Sequence, residues 1–233
     1  MRLVMLVSGV ALLAAACTGG DDAAIDDTTA AAAAVQPADD DPDARPEGAS
    51  GVPEGFVGRV DRANQQLADV RYTTLGDGRW EVVTGPHHIA YQPGDTASGA
   101  YTVSATLEQL DSPAHPESFG IFIGGTNLEG DDQRYGYFMV RGTGDYLIRV
   151  RDGAETSNVA GWVASPAVPR ADATGKASYE LRVRVQEDSV RFDVNGATVA
   201  TVARRALPTE GVAGIRIGHN LHVAATRVSI ARN

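Results

Sequence analysis

The sequence predicts an all-β protein built as an antiparallel β-sandwich. Strand-length segments with period-two alternation follow one another after residue 55, separated by Gly, Asp and Pro. No long stretch there has convincing helical periodicity, and residues 57–69 come closest. Several segments offer an inward apolar set, as two stacked sheets require. The predicted strands span residues 70–74, 79–84, 87–91, 100–110, 118–124, 134–141, 145–151, 179–186, 189–194, 197–202, 212–217 and 221–231.

The clearest local signal is the dipeptide Asn195-Gly196 between two alternating segments. A two-residue type I′ turn needs positive φ at both central positions, and Asn and Gly tolerate this best. The segment is therefore predicted to be a hairpin. Its predicted pairs are Val194 with Ala197, Phe192 with Val199, and Val190 with Thr201.

A second turn at Glu187-Asp188 predicts a third strand in the same sheet. A one-residue shift in strand pairing would expose the apolar side chains to solvent. Because both turns bury the same face, they support one register. The predicted pairs are Leu181 with Val194, Val183 with Phe192, and Val185 with Val190. The other face is predicted to be solvated, and it carries Glu180, Arg182, Arg184, Arg191 and Asp193. There Arg184 stands opposite Arg191, which is destabilising unless an acidic group lies nearby.

The amino terminus, MRLVMLVSGVALLAAAC, places an apolar run before the single cysteine, Cys17. The run is too short to span a bilayer and is typical of a secretory signal peptide over residues 1–16. LAAAC resembles the lipobox of bacterial lipoproteins, although Ala14 stands where that motif usually has Leu. The resemblance implies lipidation of Cys17 and a membrane anchor in the cell envelope. Thr18, rather than Asp, after the cysteine implies the outer membrane if the cell has two membranes.

Residues 17–54 are predicted to be a disordered tether, because they are rich in Ala, Asp, Gly and Pro and have little to bury. Residues 18–54 carry a charge of −9 and Arg2 carries +1, so the net charge of −10 leaves only −2 for residues 55–233. The predicted domain over residues 55–233 thus lacks the net basic field that nucleic-acid binding requires. Its oligomeric state stays open.

Three segments of the predicted domain resemble a known family. They are GRWEVVTGPHHIAYQPGD, the pair FGIFIGG and YGYFMVRGTGDYLIRVRDG, and GVAGIRIGHNLHVAATRVSI. Together with the hairpin they resemble the concanavalin A-like sandwich of laminin G-like modules, near the 3-keto-disaccharide hydrolase domain. The resemblance implies a jelly-roll fold. It matches hydrophobic positions and turns and not a catalytic set, so it does not imply an activity.

The string EGDDQR is the nearest match to the acidic run of related glycoside hydrolases, E-x-D-x-x-E. Arg134 occupies its last acidic position, which argues against a retaining mechanism there. The same loop offers four hard side-chain oxygens to Ca²⁺, and the alternative is a solvated turn. No other cofactor is predicted. The candidate calcium ligands are Asn127, Glu129, Asp131 and Asp132.

Aromatic rings are the candidates for stacking on a sugar. Trp162 has little pattern, whereas Trp80 alternates with Val82 and is predicted to be buried. Tyr135 and Tyr137 share one strand face, and alternation does not tell whether that face is the inward one.

The histidines do not have the spacing of a metal site on one strand face. Two ligands on one face of a strand must be two residues apart. His87 and His88 are adjacent, and His219 and His222 are three apart. These histidines and His115 are therefore predicted to be loop or surface residues.

Three functions stay open. The favoured hypothesis is a non-catalytic carbohydrate-binding or adhesion-type sandwich on a lipid anchor. The second is a glycoside-processing hydrolase with acids drawn from separate loops, Glu117 among them. The third is a structural envelope protein without a small-molecule ligand.

Overall fold

The computed structural model describes residues 45–232. This part of the chain is almost entirely β, and none of its helices is long and apolar enough to cross a membrane. Cys17, the predicted signal peptide and most of the predicted tether lie outside the described residues. The strands are β1 (Val57–Val60), β2 (Val70–Gly76), β3 (Arg79–Thr84), β4 (His88–Tyr91), β5 (Thr96–Ala97), β6 (Tyr101–Gln109), β7 (Ser118–Thr126), β8 (Arg134–Arg141), β9 (Asp145–Asp152), β10 (Glu155–Ala164), β11 (Ala177–Val185), β12 (Ser189–Val194), β13 (Ala197–Ala203), β14 (Gly211–Ile217), β15 (His222–Thr226) and β16 (Ser229–Arg232). Short 3-10 turns span Leu67–Asp69 and Arg204–Ala206.

The strands form two antiparallel sheets of eight strands each. Sheet 1 has the order β1-β4-β14-β7-β8-β9-β10, with β5 paired to β14. Sheet 2 has the order β13-β12-β11-β6-β15-β3-β2, with β16 paired to β6. The prediction of an antiparallel β-sandwich is confirmed.

The core lies between the two sheets and is built from alternate residues of each strand. On β8, Phe138 and Val140 point into it, and Phe138 packs against Phe192 of sheet 2 with ring centroids 5.1 Å apart. The inward orientation of Phe138 and Val140 shows which face of β8 lies in the core, because Tyr135 and Tyr137 must then lie on the opposite face. Trp80 is only half-buried, and its ring meets Phe56 edge-on at the margin of the core.

The predicted three-stranded register is confirmed for β11 and β12 and in part for β13. Leu181, Val183 and Val185 pair as predicted, and Asn195 and Gly196 have φ of 49° and 82°. Beyond the first hairpin pair the prediction was wrong by one residue. Phe192 pairs with Ala200, and Val190 pairs with Val202. A β-bulge leaves Val199 as the extra residue, and its carbonyl accepts a hydrogen bond from Tyr146 Oη.

The like-charge pair on β11 and β12 has an acidic partner. Arg184 and Arg191 are paired across the strands as predicted. Asp193 lies between them, with Oδ2 at 3.0 Å from Arg184 Nε and Oδ1 at 3.4 Å from Arg191 Nε. The prediction that Asp193 is solvated was wrong, because the residue is 1% exposed. Its carboxylate compensates the two guanidinium groups that the register brings together.

Other differences from the predicted elements lie at margins and edges. The segment closest to a helix, residues 57–69, contains strand β1 and a single 3-10 turn. The predicted strand 221–231 is two strands, and β10 was not predicted. Contacts with the sandwich begin before residue 55, because Ala49 is buried and the amides of Ser50 and Gly51 donate to Val70 O.

Candidate functional site

The outer face of sheet 1, opposite the core, carries a second apolar cluster. Alternation places Phe122, Tyr135 and Tyr137 on this face, and all three are at most 5% exposed. Gly214 of β14 lies beneath the ring of Phe122, and a Cβ there would approach the ring to 2.6 Å. The cluster consists of Ile89, Tyr91, Phe122, Leu128, Tyr135, Tyr137, Met139 and Leu147.

An ion pair between the buried Arg216 and the partly buried Asp61 ties the loop after β1 to this face. Arg216 of β14 donates to Asp61 Oδ1 at 2.9 Å and to Oδ2 at 2.5 Å, and it also donates to Tyr135 Oη at 2.9 Å. Its guanidinium lies 4.9 Å from the centre of the Tyr137 ring. Burial alone would raise the pKa of Asp61, but the charge and hydrogen bonds of Arg216 hold that pKa well below its usual range. Asp61 is therefore ionised, and the loop is fixed at its start.

The loop after β7 folds back over the same face. Leu128 joins the apolar cluster, and Arg59 of β1 donates to Gly130 O at 2.5 Å. The Arg59 guanidinium also lies 3.6 Å from Asp131 Oδ1. Asn127 starts the loop in the left-handed region with φ of 51°, a conformation that Asn tolerates well.

A groove of about 460 Å³ lies between these two loops. Its ionisable residues are three arginines and three acids, so its side chains have no net charge at neutral pH. Both polar atoms of the Gln65 amide are buried here without a hydrogen-bond partner among the described residues. The lining side chains include Arg59, Asp61, Arg62, Gln65, Glu129, Asp131, Gln133 and Arg151.

The structure distributes the predicted calcium ligands over two cavities. Glu129 lines both, Asp131 lines the groove, and Asn127 and Asp132 line a neighbouring cavity. Asn127 Nδ2 donates to Asp132 Oδ2 at 2.8 Å. Calcium binding by these four residues stays a prediction.

The candidate stacking residues are also separated. Tyr135 and Tyr137 are buried beneath the groove region, at 1% and 5% exposure. Trp162 is 38% exposed on β10, and the Arg141 guanidinium lies 3.8 Å from its ring centre. Arg141 is held in turn by two hydrogen bonds to Asp145 Oδ2 and one to Oδ1, so one face of the indole is covered. Trp162 does not line the groove.

Comparison with solved structures shows the fold. The carbohydrate-binding module CBM66 from Bacillus subtilis matches with a TM-score of 0.50 at 10% identity, over 76% of this chain and 95% of that one. A protein of unknown function with a galectin-like fold, also from Bacillus subtilis, matches with a TM-score of 0.50 at 13% identity, over 76% and 96%. The domain has a galectin-like jelly-roll fold. No family model matches the sequence, and no curated protein is significantly similar to it.

This jelly-roll confirms the predicted concanavalin A-like fold. At these identities the likeness is one of fold, and it transfers no ligand. The assignment to the group near the 3-keto-disaccharide hydrolases is not decided by it.

A separate cluster of histidines lies where β4, β7 and β14 meet loops. His87 precedes β4, Glu117 precedes β7, and His219 follows β14. The imidazole of His219 stacks on that of His87, with centroids 4.4 Å apart, and its Nε2 lies 2.8 Å from Glu117 Oε1. The prediction that these histidines are loop or surface residues missed the cluster, because β14 lies between β4 and β7 in the sheet although it comes last of the three in the sequence.

Proposed function

We propose that the sandwich binds a neutral carbohydrate, without catalysis, in the groove on the outer face of sheet 1. The observation that carries the proposal is the balanced polar lining of that groove. Sugar hydroxyls both donate and accept hydrogen bonds, and the groove offers guanidinium donors beside carboxylate acceptors. The Gln65 amide, whose donor and acceptor lack a partner among the described residues, lies in the wall of this groove.

The charge of the groove favours an uncharged ligand. Arg59, Arg62 and Arg151 are balanced by Asp61, Glu129 and Asp131. A polyanion would gain from the arginines but would be repelled by the acids, whereas a neutral glycan meets no such opposition.

We further propose that the chain is a lipoprotein held to the bacterial cell envelope through Cys17. The motif LAAAC and the acidic, Pro-containing segment after it support this proposal. The anchor would display the sandwich on the outer or periplasm-facing side of a membrane. Mass spectrometry of the native amino terminus tests it, and an unmodified Cys17 would contradict it.

A glycan array with the full chain tests carbohydrate binding. We expect selective binding by the native chain and at least a tenfold loss in Gln65→Ala and in Asp131→Ala. Glu187→Ala is the matched control, because Glu187 is exposed in the turn between β11 and β12 and does not line the groove. An array without signal contradicts the proposal. Loss of binding in Trp162→Ala alone would indicate that the glycan site lies on β10.

The same array tests the calcium prediction. If Ca²⁺ bound at Asn127, Glu129, Asp131 and Asp132 organises the loop, a calcium-selective chelator will weaken glycan binding. Equal signals with and without calcium contradict a role for the ion in glycan binding.

A hydrolase similar to the 3-keto-disaccharide hydrolases is the second candidate. It is favoured by one observation, the presence of the carboxylates of Glu129 and Asp131 in the same groove. Glu117 contacts His115 and His219 and does not line this groove, so it would not act with them. If the native chain releases reducing or keto sugars and Glu129→Gln does not, the result would favour the hydrolase over the non-catalytic binding protein.

A further inference from the structure

We propose that His115, Glu117 and His219, with His87 as a fourth ligand, form a binding site for a divalent transition metal of the zinc class. The three atoms His115 Nε2, His219 Nε2 and Glu117 Oε1 form a triangle with sides of 3.2, 2.8 and 3.2 Å. Ligand atoms around a tetrahedral zinc ion, each at about 2.0–2.1 Å from the metal, lie about 3.3 Å apart. The triangle therefore has the dimensions of one face of a tetrahedral site.

His87 lies beside this triangle. One ligand atom from each of His87, Glu117 and His219 lies within 4.8 Å of the others. The His87 ring is stacked on that of His219, with an interplanar angle of 25°. A modest side-chain rotation would bring a His87 nitrogen into contact with an ion bound by the other three groups.

The ligand types select the class of metal. Imidazole nitrogen is a preferred ligand of zinc and other first-row transition metals, whereas Ca²⁺ and Mg²⁺ take oxygen ligands. A set of three imidazoles and one carboxylate is thus suited to Zn²⁺ and offers a single oxygen ligand residue to Ca²⁺. This separates the site from the calcium site predicted in the loop after β7.

The partial burial of the Glu117 carboxylate favours the binding of a cation. The side chains of Glu117 and His219 are each 15% exposed, and that of His115 is 45% exposed. A carboxylate withdrawn from water needs a compensating charge or hydrogen bonds. A divalent ion would also accept the lone pairs of the two imidazole nitrogens, which face each other at 3.2 Å.

The backbone around the site is held by fixed contacts. Gly218 N donates to Ser118 O at 2.8 Å, and Thr84 Oγ1 donates to Gly218 O at 2.8 Å. A Cβ at Gly218 would lie 2.7 Å from Ser118 O and 3.1 Å from Glu117 Oε2, so only Gly allows this approach. Pro113 and Pro116 restrict the loop that carries His115. The backbone that carries His115, Glu117 and His219 is therefore fixed before any ion binds, and only the His87 side chain has to rotate.

Calorimetric titration of the metal-free full chain with ZnCl₂ tests the site. All proteins carry Cys17→Ser, so that a thiolate does not contribute. We expect one equivalent of Zn²⁺ to bind, with the affinity reduced at least tenfold in Glu117→Gln and in His219→Ala. Saturating Zn²⁺ should raise Tm by about 5 °C or more at a hundredfold excess over Kd. CaCl₂ should give no binding at this site.

His222→Ala is the matched control, because its ring pairs with Asp111 and Glu81 outside the cluster. Cobalt provides a second measurement, since a tetrahedral Co²⁺ site gives intense visible absorption that an octahedral one does not. Unchanged circular dichroism shows that each variant is folded, and His115→Ala, at an exposed position, replaces any variant that is not. Zinc binding that is absent, or equal in native and cluster variants, would overturn the proposal and leave a histidine–carboxylate ion pair.

Discussion

At the scale of single residues, buried charges and their partners organise the outer face of sheet 1. Arg216 is 7% exposed and spans from Asp61 to Tyr135. Neither charged group could be buried alone, because desolvation of an unpaired ion costs several kcal/mol. The pair therefore links the loop after β1 to the sheet, and the groove depends on that link.

Removing the acid of this pair will destabilise the domain strongly. We expect Asp61→Asn to lower the free energy of unfolding by about 3–5 kcal/mol, because Arg216 then stays buried without a counter-charge. The double variant Asp61→Asn/Arg216→Met should recover much of the loss, since it removes both charges. Urea denaturation measures both values. A loss below 1 kcal/mol in the single variant would show that water solvates Arg216.

The ion pair of Asp145 with Arg141 predicts that the stability of the domain depends on pH. Hydrogen bonds from Arg141 hold its pKa below the ordinary value, with a further contribution from Thr143 and against the opposing effect of burial. Its pKa is lower in the folded than in the unfolded chain, so the unfolded chain takes up the proton first as pH falls. The stabilisation of the folded state by ionised Asp145 is therefore complete above about pH 4 and is lost as the pH falls below that value.

The measurement is thermal unfolding between pH 7 and pH 2 for the native chain and Asp145→Asn. We expect Asp145→Asn to lose about 1–3 kcal/mol at pH 7 and to show a shallower decline below pH 4. Parallel declines in the two proteins would assign the acid sensitivity to other carboxylates.

At the scale of elements, close approach of strands and loops limits which residues the sheet accepts. β7 carries Gly120 opposite Met139 of β8, and a Cβ at Gly120 would lie 2.0 Å from Phe138 O. The bounds of β7 and β8 were predicted well from their apolar runs and flanking turns, but both faces of these strands are buried, so alternation could not tell which face lies in the core. The Val199 bulge and strand β10 escaped prediction, since neither follows a local pattern: one depends on Tyr146 across the sandwich and the other on pairing at an edge.

Gly120→Ala should therefore destabilise the domain by about 3 kcal/mol, because the backbone of β8 would have to move. Gly161→Ala on β10 is the matched control, since a Cβ there meets nothing within 4 Å and its φ is not in the left-handed region. It should be neutral or slightly stabilising. Chemical denaturation compares the two, and equal stabilities would contradict the close packing of β7 and β8.

At the scale of the whole molecule, one core joins the two sheets. Phe138 of sheet 1 and Phe192 of sheet 2 are both 1% exposed and pack on each other. Neither sheet could keep its inner face dry without the other, so we expect the sheets to unfold together.

Phe138→Ala tests this coupling. The cavity should cost about 3–5 kcal/mol, and signals from aromatic packing and from backbone structure should still be lost at one temperature. Val163→Ala, at a position 39% exposed, is the control and should change stability little. Two separate transitions in near- and far-ultraviolet circular dichroism would show that the sheets are independent.

The amino-acid sequence by itself determined that the domain is a sandwich, which faces of β11 and β12 are buried, and where the hairpin turns. These properties depend on period-two alternation and on turn residues such as Asn195 and Gly196, which act over a few residues. Only the tertiary structure decided that loops carrying Asp61 and Asp131 enclose a groove, and that His87, Glu117 and His219 meet. Asp61 follows β1 and Asp131 follows β7, whereas the histidine cluster lies beside β4, β14 and β7. The strand order β1-β4-β14-β7 brings these segments together, and it is a long-range pairing that no local spacing encodes.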